Sequence, residues 1–203
     1  MPLLLIAFLF AALEWLAEDK KNQRGIYLTK PTMMLALIAW VLVSGDLLAE
    51  GSMFPRLWFV IGLVFCLGGD VFLMLPERFF LPGLVSFLLG HVFYILAFGP
   101  LLPPSGAYLP ALVIVLGILV LVVLIYRKLA QGMRGTDNER MRLPVLFYAI
   151  IISLMLYAAL TRGLGGRWEP TSALWVGAGA ALFSLSDILN AWKRFLSPFP
   201  NDR

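Results

Sequence analysis

The sequence predicts an all-α protein, a polytopic bundle of transmembrane helices that forms a single integral membrane domain over residues 1–203. Three observations predict this fold class. Hydrophobic residues make up 61% of the chain and charged residues only 14%, whereas a soluble domain is nearer half apolar and a quarter charged. The charged residues cluster between apolar runs, and each run is long enough to cross the roughly 30 Å of hydrocarbon in a bilayer. Only helices and closed barrels span lipid, and runs of this length indicate helices.

Seven apolar runs of roughly 17 to 22 residues are predicted to span the membrane. They are residues 2–17, 32–48, 56–75, 79–98, 107–126, 143–160 and 171–192. The first run lacks the basic start and cleavage site of a signal peptide, so it is predicted to be a retained helix. Residues 20–30 are predicted to form a polar, basic loop. Lys30 and Pro31 then open the second span, because proline fits the first turn of a helix.

The remaining boundaries follow from turn-forming and charged residues. A four-residue turn at 76–79 separates the third run from the fourth. Gly and Pro predict a loop at 99–106, and charged residues predict another at 127–142. The fifth run, between these loops, is almost entirely Leu, Val and Ile. That composition is typical of a helix that faces lipid on most sides.

The distribution of Lys and Arg predicts the orientation. With the N-terminus outside, 13 of the 16 basic residues fall in the loops and tail on the cytoplasmic side. The positive-inside rule therefore predicts an outer N-terminus and a cytoplasmic C-terminus in the cell membrane. The net charge of +4 is explained by these topogenic residues, so no nucleic-acid partner is predicted.

Polar side chains inside the apolar runs mark the candidate site, because such groups are costly in hydrocarbon. Asp70 lies five residues from the predicted cytoplasmic end of the third run, about 7 Å deep at 1.5 Å per residue. Four side chains on other helices are predicted to share that layer: Glu14, Lys30, Tyr148 and Asp187. His91, the only histidine, lies deeper, near the midplane. Tyr94, three residues on, shares its helical face.

Small residues accompany these polar groups, which favours positions between helices rather than against lipid. On the seventh run, one helical face is predicted to carry Ala180, Ser184, Asp187 and Ala191. The single cysteine, Cys66, lies within a predicted span and is interpreted as packing. The sequence contains no cluster of Cys and His residues, so it predicts no structural zinc site and no cofactor.

At these residues the chain resembles the YhhN family, the membrane lysoplasmalogenases. The resemblance rests on Lys30-Pro31, on GLVFCLGGDVFLML around Asp70, on GLVSFLLGHVFYILAF around His91 and Tyr94, on Tyr148, and on FSLSDILNAWKRF around Ser186 and Asp187. The family is described as eight-helical, whereas seven spans are predicted here. Either the chain stops before a final helix or this member has seven.

The resemblance implies a hydrolase that cleaves the vinyl ether of a lysoplasmalogen, releasing a fatty aldehyde and a glycerophospho-alcohol. That chemistry needs an acid to protonate the β-carbon and a carboxylate to stabilise the resulting cation or to activate water. Asp70 and Asp187 are the predicted pair, one as acid and the other as base, with His91 as a third catalytic residue. The predicted substrate contacts are Lys30, which would hold the head-group phosphate, and Tyr94, Tyr148, Ser186 and Glu14.

Structural roles are the alternatives for the same residues. In the structural interpretation, Lys30 is an interfacial lysine, because lysines at helix ends extend toward water. Asp70 is then a buried partner for Lys30 or Arg78. His91 is a buried histidine that donates to a backbone carbonyl. Tyrosines such as Tyr94 commonly pack with a single hydrogen bond.

Two other functions are compatible with intramembrane ionisable residues. A proton- or ion-coupled transporter uses such groups as relays, although the sequence lacks the inverted repeat that many transporters carry. A metal-dependent hydrolase would use His91, Asp70 and Asp187, although zinc sites usually have two or more nitrogen or sulfur ligands. The predicted partners are the lipid bilayer and a lysophospholipid substrate. The sequence does not define the oligomeric state.

Overall fold

The computed structural model describes residues 2–20, 22–44, 53–164 and 168–196. Within these ranges, every regular element is helical. The helices are α1 (Pro2–Asp19), α2 (Gln23–Val43), α3 (Met53–Met74), α4 (Phe80–Phe98), α5 (Tyr108–Met133), α6 (Arg142–Leu160) and α7 (Pro170–Phe195). A short 3-10 turn, Glu77–Phe79, joins α3 to α4, and two others, Glu139–Met141 and Thr161–Gly163, flank α6. The predicted all-α bundle is confirmed.

Six of the helices in the described ranges, α2 to α7, are long and apolar enough to cross a membrane. The apolar part of α1 is shorter, Leu3–Ala17. The chain is therefore a multi-pass helical membrane protein. That α1 crosses the bilayer, which membrane holds the protein and how its termini are oriented stay predictions.

The predicted boundaries of the second helix are wrong. α2 begins at Gln23, so Lys30 lies two turns inside the helix and not at its mouth. The helix starts early because the Asn22 side chain accepts a hydrogen bond from the Gly25 N–H at 3.2 Å and caps it. Pro31 removes one bond within the helix but does not end it. α2 ends at Val43 rather than at residue 48, and residues 45–48 lie outside the described ranges.

The predicted end of the fifth helix is also wrong. α5 continues seven residues past Tyr126, to Met133, and is about 39 Å long at 1.5 Å per residue. Arg127 and Lys128 are therefore helical, and both are exposed. The Lys128 ammonium lies 5.7 Å from the centroid of the Trp192 ring on α7. Charged residues end an apolar run without ending the helix, because their side chains are exposed and need not be buried.

The chain divides into two compact units, Met1–Ala97 and Phe98–Arg203. That they act as a single membrane domain stays a prediction. In the first unit, α1 packs on α2 and α2 packs on α3. α3 and α4 pack closely at glycines: a Cβ on Gly62 would lie 2.5 Å from the Tyr94 ring, and one on Gly90 would lie 2.9 Å from Cys66 Sγ. Small residues at these positions allow the two backbones to approach.

In the second unit, α5, α6 and α7 pack on one another. The hydroxyl of Tyr126 donates to the Arg142 carbonyl at 3.0 Å and ties α5 to the start of α6. α7 buries one face of small residues, at Ala173, Gly177, Ala180 and Ser184. Asp187 and Ala191 continue that face and are half-buried. The predicted shared face of Ala180, Ser184, Asp187 and Ala191 is confirmed.

Candidate functional site

A lysine between two carboxylates is the main polar feature of the first unit. Lys30 Nζ on α2 lies 3.2 Å from Asp70 Oδ1 on α3 and 3.8 Å from Glu14 Oε1 on α1. The exposed fractions of the side chains are 26% for Lys30, 14% for Asp70 and 13% for Glu14. Charged groups in membrane helices pair with one another because neither is solvated by lipid. Three predicted site residues from three helices therefore form one cluster, called here the Lys30 cluster.

A second contact between α2 and α3 lies beside the Lys30 cluster. The hydroxyl of Tyr27 donates to the Met74 carbonyl at 2.7 Å. Tyr27 is three residues before Lys30, and Met74 is four residues after Asp70, so both contacts lie on the same pair of helical faces. The early start of α2 makes this possible, since Tyr27 falls in the segment that the sequence predicted to be a loop. The two contacts fix the register of α2 against α3.

His91 is fully buried on α4. Its Nδ1 lies 2.6 Å from the Phe87 carbonyl one turn earlier. A carbonyl oxygen only accepts, so Nδ1 carries a proton and donates it to Phe87. This is the backbone hydrogen bond that the structural alternative for His91 predicted. A catalytic role for His91 stays a prediction.

Further contacts lie within α4 and between α3 and α4. The Tyr94 ring meets the His91 ring edge-on, with 6.3 Å between centroids. The Tyr94 hydroxyl and Cys66 Sγ form a hydrogen bond of 3.5 Å, and Ser86 Oγ donates to the Phe65 carbonyl at 2.6 Å. Cys66 thus has a polar partner that its apolar sequence context did not indicate. Its position four residues before Asp70, on the same helical face, is the signal that was available.

In the second unit, two predicted site residues meet. The hydroxyl of Tyr148 on α6 donates a hydrogen bond to Asp187 Oδ2 on α7. Ser186, the next residue to Asp187, is exposed and lies on another face of α7. A phenol that donates to a carboxylate fixes the orientation of that carboxylate. Asp187 belongs to the second unit and Asp70 to the first, so the predicted meeting of the two carboxylates stays a prediction.

Sequence reasoning missed Arg162, which it assigned to a loop between the sixth and seventh spans. Arg162 is 7% exposed. It donates from Nε to the Ala158 carbonyl at 2.9 Å, from Nη1 to Phe98 at 2.6 Å and from Nη2 to Pro100 at 2.6 Å. The guanidinium therefore joins the end of α6 to the last residue of α4 and to the segment that follows it. Its position two residues after an apolar run of 18 residues, 143–160, was the available signal.

Comparison with known proteins identifies the family. The model of the YhhN family matches residues 25–203, which is most of the chain. The matched region contains Lys30, Asp70, His91, Tyr148 and Asp187. No curated protein and no solved structure matches the chain significantly. Because the match extends from α2 to the last residue, the chain belongs to the YhhN family.

Proposed function

We propose that this protein is a membrane-embedded hydrolase that cleaves the vinyl ether bond of a lysoplasmalogen. The products are a fatty aldehyde and a glycerophospho-alcohol. Membership of the YhhN family is consistent with a lysoplasmalogenase-like function. The observation that carries the proposal is the ion pair of Asp70 with Lys30, which is partly accessible although both residues lie within membrane-spanning helices. An accessible carboxylate beside an ammonium supplies proton-transfer chemistry next to a phosphate-binding charge.

The reaction balances without a cofactor. A carboxylic acid donates its proton to the β-carbon of the vinyl ether, which leaves an oxocarbenium ion. A carboxylate takes a proton from water, and the water oxygen bonds to the α-carbon to give a hemiacetal. The hemiacetal then collapses: the first group, now a carboxylate, takes the proton of the hemiacetal hydroxyl, the second group protonates the leaving oxygen, and the C–O bond breaks to give the aldehyde and the free hydroxyl of the glycerophospho-alcohol. One acid and one base are required, and both return to their starting protonation states.

We assign these roles to Asp70 and Asp187, one as acid and one as base. Two carboxylates whose environments differ separate their protonation states, which is the general route to an acid and base pair at neutral pH. The hydrogen bond from Tyr148 supports a fixed orientation of Asp187. In this proposal Lys30 holds the head-group phosphate, and His91 and Tyr94 order the water or the glycerol end of the lipid. In the predicted orientation Asp70 and Asp187 lie near the cytoplasmic ends of their helices, so the proposed site opens to the cytoplasm.

The test is release of free aldehyde from a lysoplasmalogen by the detergent-purified protein. The wild type is expected to release aldehyde from the vinyl ether but not from the saturated alkyl ether of the same lipid. A double variant, Asp70→Asn with Asp187→Asn, is expected to lose the activity. The matched control is Asp19→Asn with Asp137→Asn, because both of these aspartates are exposed. Full hydrolysis by the first double variant would exclude the aspartate pair.

A further inference from the structure

The last two turns of α5 extend beyond its apolar run and have two different sides. One side is buried, at Leu129 and Met133. A Cβ on Gly132 would lie 2.5 Å from the Phe195 carbonyl oxygen, so this end of α5 closely approaches the end of α7. The other side is exposed and carries the basic residues Arg127 and Lys128. Because the buried side packs on α7, the basic side chains belong to a packed helix and not to a loop.

The two basic residues lie where the hydrocarbon layer would end. The helical part of the apolar run, residues 108–126, is about 28 Å long at 1.5 Å per residue. A bilayer contains roughly 30 Å of hydrocarbon, so the side chains of Arg127 and Lys128 would reach the phosphate layer. Trp192 on α7 lies beside them, and tryptophan is a residue type that concentrates at this level.

The Lys128 ammonium lies over an aromatic face. Its Nζ is 5.7 Å from the centroid of the Trp192 ring, and both side chains are exposed. A cation within about 6 Å of a tryptophan ring is attracted to its π face. The ring is neutral, so this contact restrains the ammonium without neutralising its charge. We call Arg127, Lys128 and Trp192 the Lys128 surface.

Positive charge is concentrated at this end of the second unit. Residues 127–142 and 192–196 contain seven basic and two acidic residues. The segment before the other end of α5, residues 98–107, contains no charged residue. Basic residues next to a transmembrane helix attract anionic lipid head groups. Charge alone would be enough to set the topology, whereas a lysine held over a tryptophan also provides a defined place for one head group.

We propose that the Lys128 surface binds the head group of an anionic diacyl phospholipid. The phosphodiester pairs with the Lys128 ammonium and the Arg127 guanidinium. The lipid chains lie along the exposed residues Leu121 and Leu124, which precede Lys128 on the same helical face. A zwitterionic phospholipid binds more weakly, because it brings its own ammonium among these basic residues. This binding is independent of the proposed hydrolysis.

The experiment compares two lipids that differ only in the head group. Phosphatidylglycerol and phosphatidylcholine with identical chains are titrated into the purified full chain in detergent, and microscale thermophoresis gives each Kd. The wild type is expected to bind phosphatidylglycerol about tenfold more tightly, with the preference decreasing as salt is added. Lys128→Gln is expected to weaken phosphatidylglycerol binding about fivefold, the usual contribution of one basic residue at an anionic surface, and to leave phosphatidylcholine unchanged. Lys128→Arg keeps the charge and is expected to keep the preference.

The matched control is Lys20→Gln, which removes an exposed positive charge that is predicted to lie on the same side of the membrane. It is expected to leave both Kd values unchanged. Equal weakening by Lys20→Gln and Lys128→Gln would mean that only total charge matters, and would overturn the inference. A wild type that binds the two lipids equally would also overturn it, as would displacement of the lipid by soluble glycerol phosphate, which would identify a site for free phosphate.

Discussion

Two basic residues within helical regions of this protein, Lys30 and Arg162, have partners of different kinds. Lys30 in the first unit contacts the carboxylates of Asp70 and Glu14, and 26% of its side chain is exposed. Arg162 in the second unit donates to three backbone carbonyls and is 7% exposed. Both arrangements stabilise a cation away from water. They differ in whether a ligand can replace the partners of the cation.

The partners of a buried cation distinguish a candidate ligand site from a structural contact. A carboxylate can change its protonation state, or it can release an ammonium and bind a ligand. The Lys30 ammonium is a single point charge that can pair with an anionic ligand. Backbone carbonyls cannot change their protonation state, and the planar guanidinium of Arg162 donates to three of them at once. We therefore expect substitutions around Lys30 to change activity and binding, and substitution of Arg162 to change stability.

The largest effect is expected for Asp70→Asn, which keeps the shape of the side chain and removes its proton-transfer chemistry. The rate of vinyl ether hydrolysis is expected to fall by about 10² to 10⁴-fold, the usual contribution of a general acid or base. The thermal unfolding temperature in detergent is expected to fall less than in Arg162→Met, because Glu14 remains 3.8 Å from the Lys30 ammonium. Asp19→Asn serves as the control, since Asp19 is exposed. If the variant is inactive and also unfolded, Asp70 has a structural role, like Arg162.

Arg162→Met is expected to have the largest effect on stability. The substitution leaves the carbonyls of Ala158, Phe98 and Pro100 without the guanidinium, and breaking a buried charged contact of this kind costs roughly 3 kcal/mol or more. The free energy of unfolding is measured by denaturant titration in detergent. Arg162→Lys is expected to recover only part of the loss, because one ammonium cannot span three carbonyls. Arg140→Met, at an exposed position, is the control, and equal unfolding of the two variants would contradict a structural role.

Lys30→Met is expected to act on substrate affinity. Without the ammonium, the KM for phosphate-bearing lysolipids is expected to rise about tenfold, the loss of one charged contact. Lys30→Arg keeps the charge and is expected to lose less. Lys20→Met, at an exposed position after α1, is the control. A Lys30→Met protein with unchanged KM and reduced unfolding temperature would show that Lys30, like Arg162, serves only the fold.

The smallest effect is expected at the start of α7. Glu169 accepts hydrogen bonds from the Thr171 hydroxyl and the Ser172 N–H, each at 2.8 Å, and these lower its pKa from 4.5 to about 2. A lowered pKa means that the carboxylate stabilises the folded state fully above pH 4.5 and that this contribution is lost as the pH falls toward 2. The Glu169→Gln protein is expected to unfold at a slightly lower temperature at pH 7, with the difference disappearing near pH 2. A constant difference over that pH range would contradict the charge contribution.

Much of the fold could be predicted because a membrane helix is recognisable from a continuous run of apolar residues in the sequence. Apolar runs such as 56–75 and 143–160 are long enough to span hydrocarbon, and α3 and α6 lie where those runs predicted. The family could be identified from the same local segments, around Asp70, His91 and Asp187. The start of α2 could not be predicted in this way, because the polar residues from Gln23 to Lys30 are typical of a loop.

The sequence by itself determined the all-α class, the order of the helices and which polar residues lie within apolar runs. The tertiary structure decided the partners of those residues: Lys30 with Asp70 and Glu14, Tyr148 with Asp187, and Arg162 with Phe98 and Pro100. The physical reason is that hydropathy depends on neighbours along the chain, whereas an ion pair depends on which helical faces meet. For residues 16 to 64 positions apart, no local sequence pattern indicates that their helical faces meet.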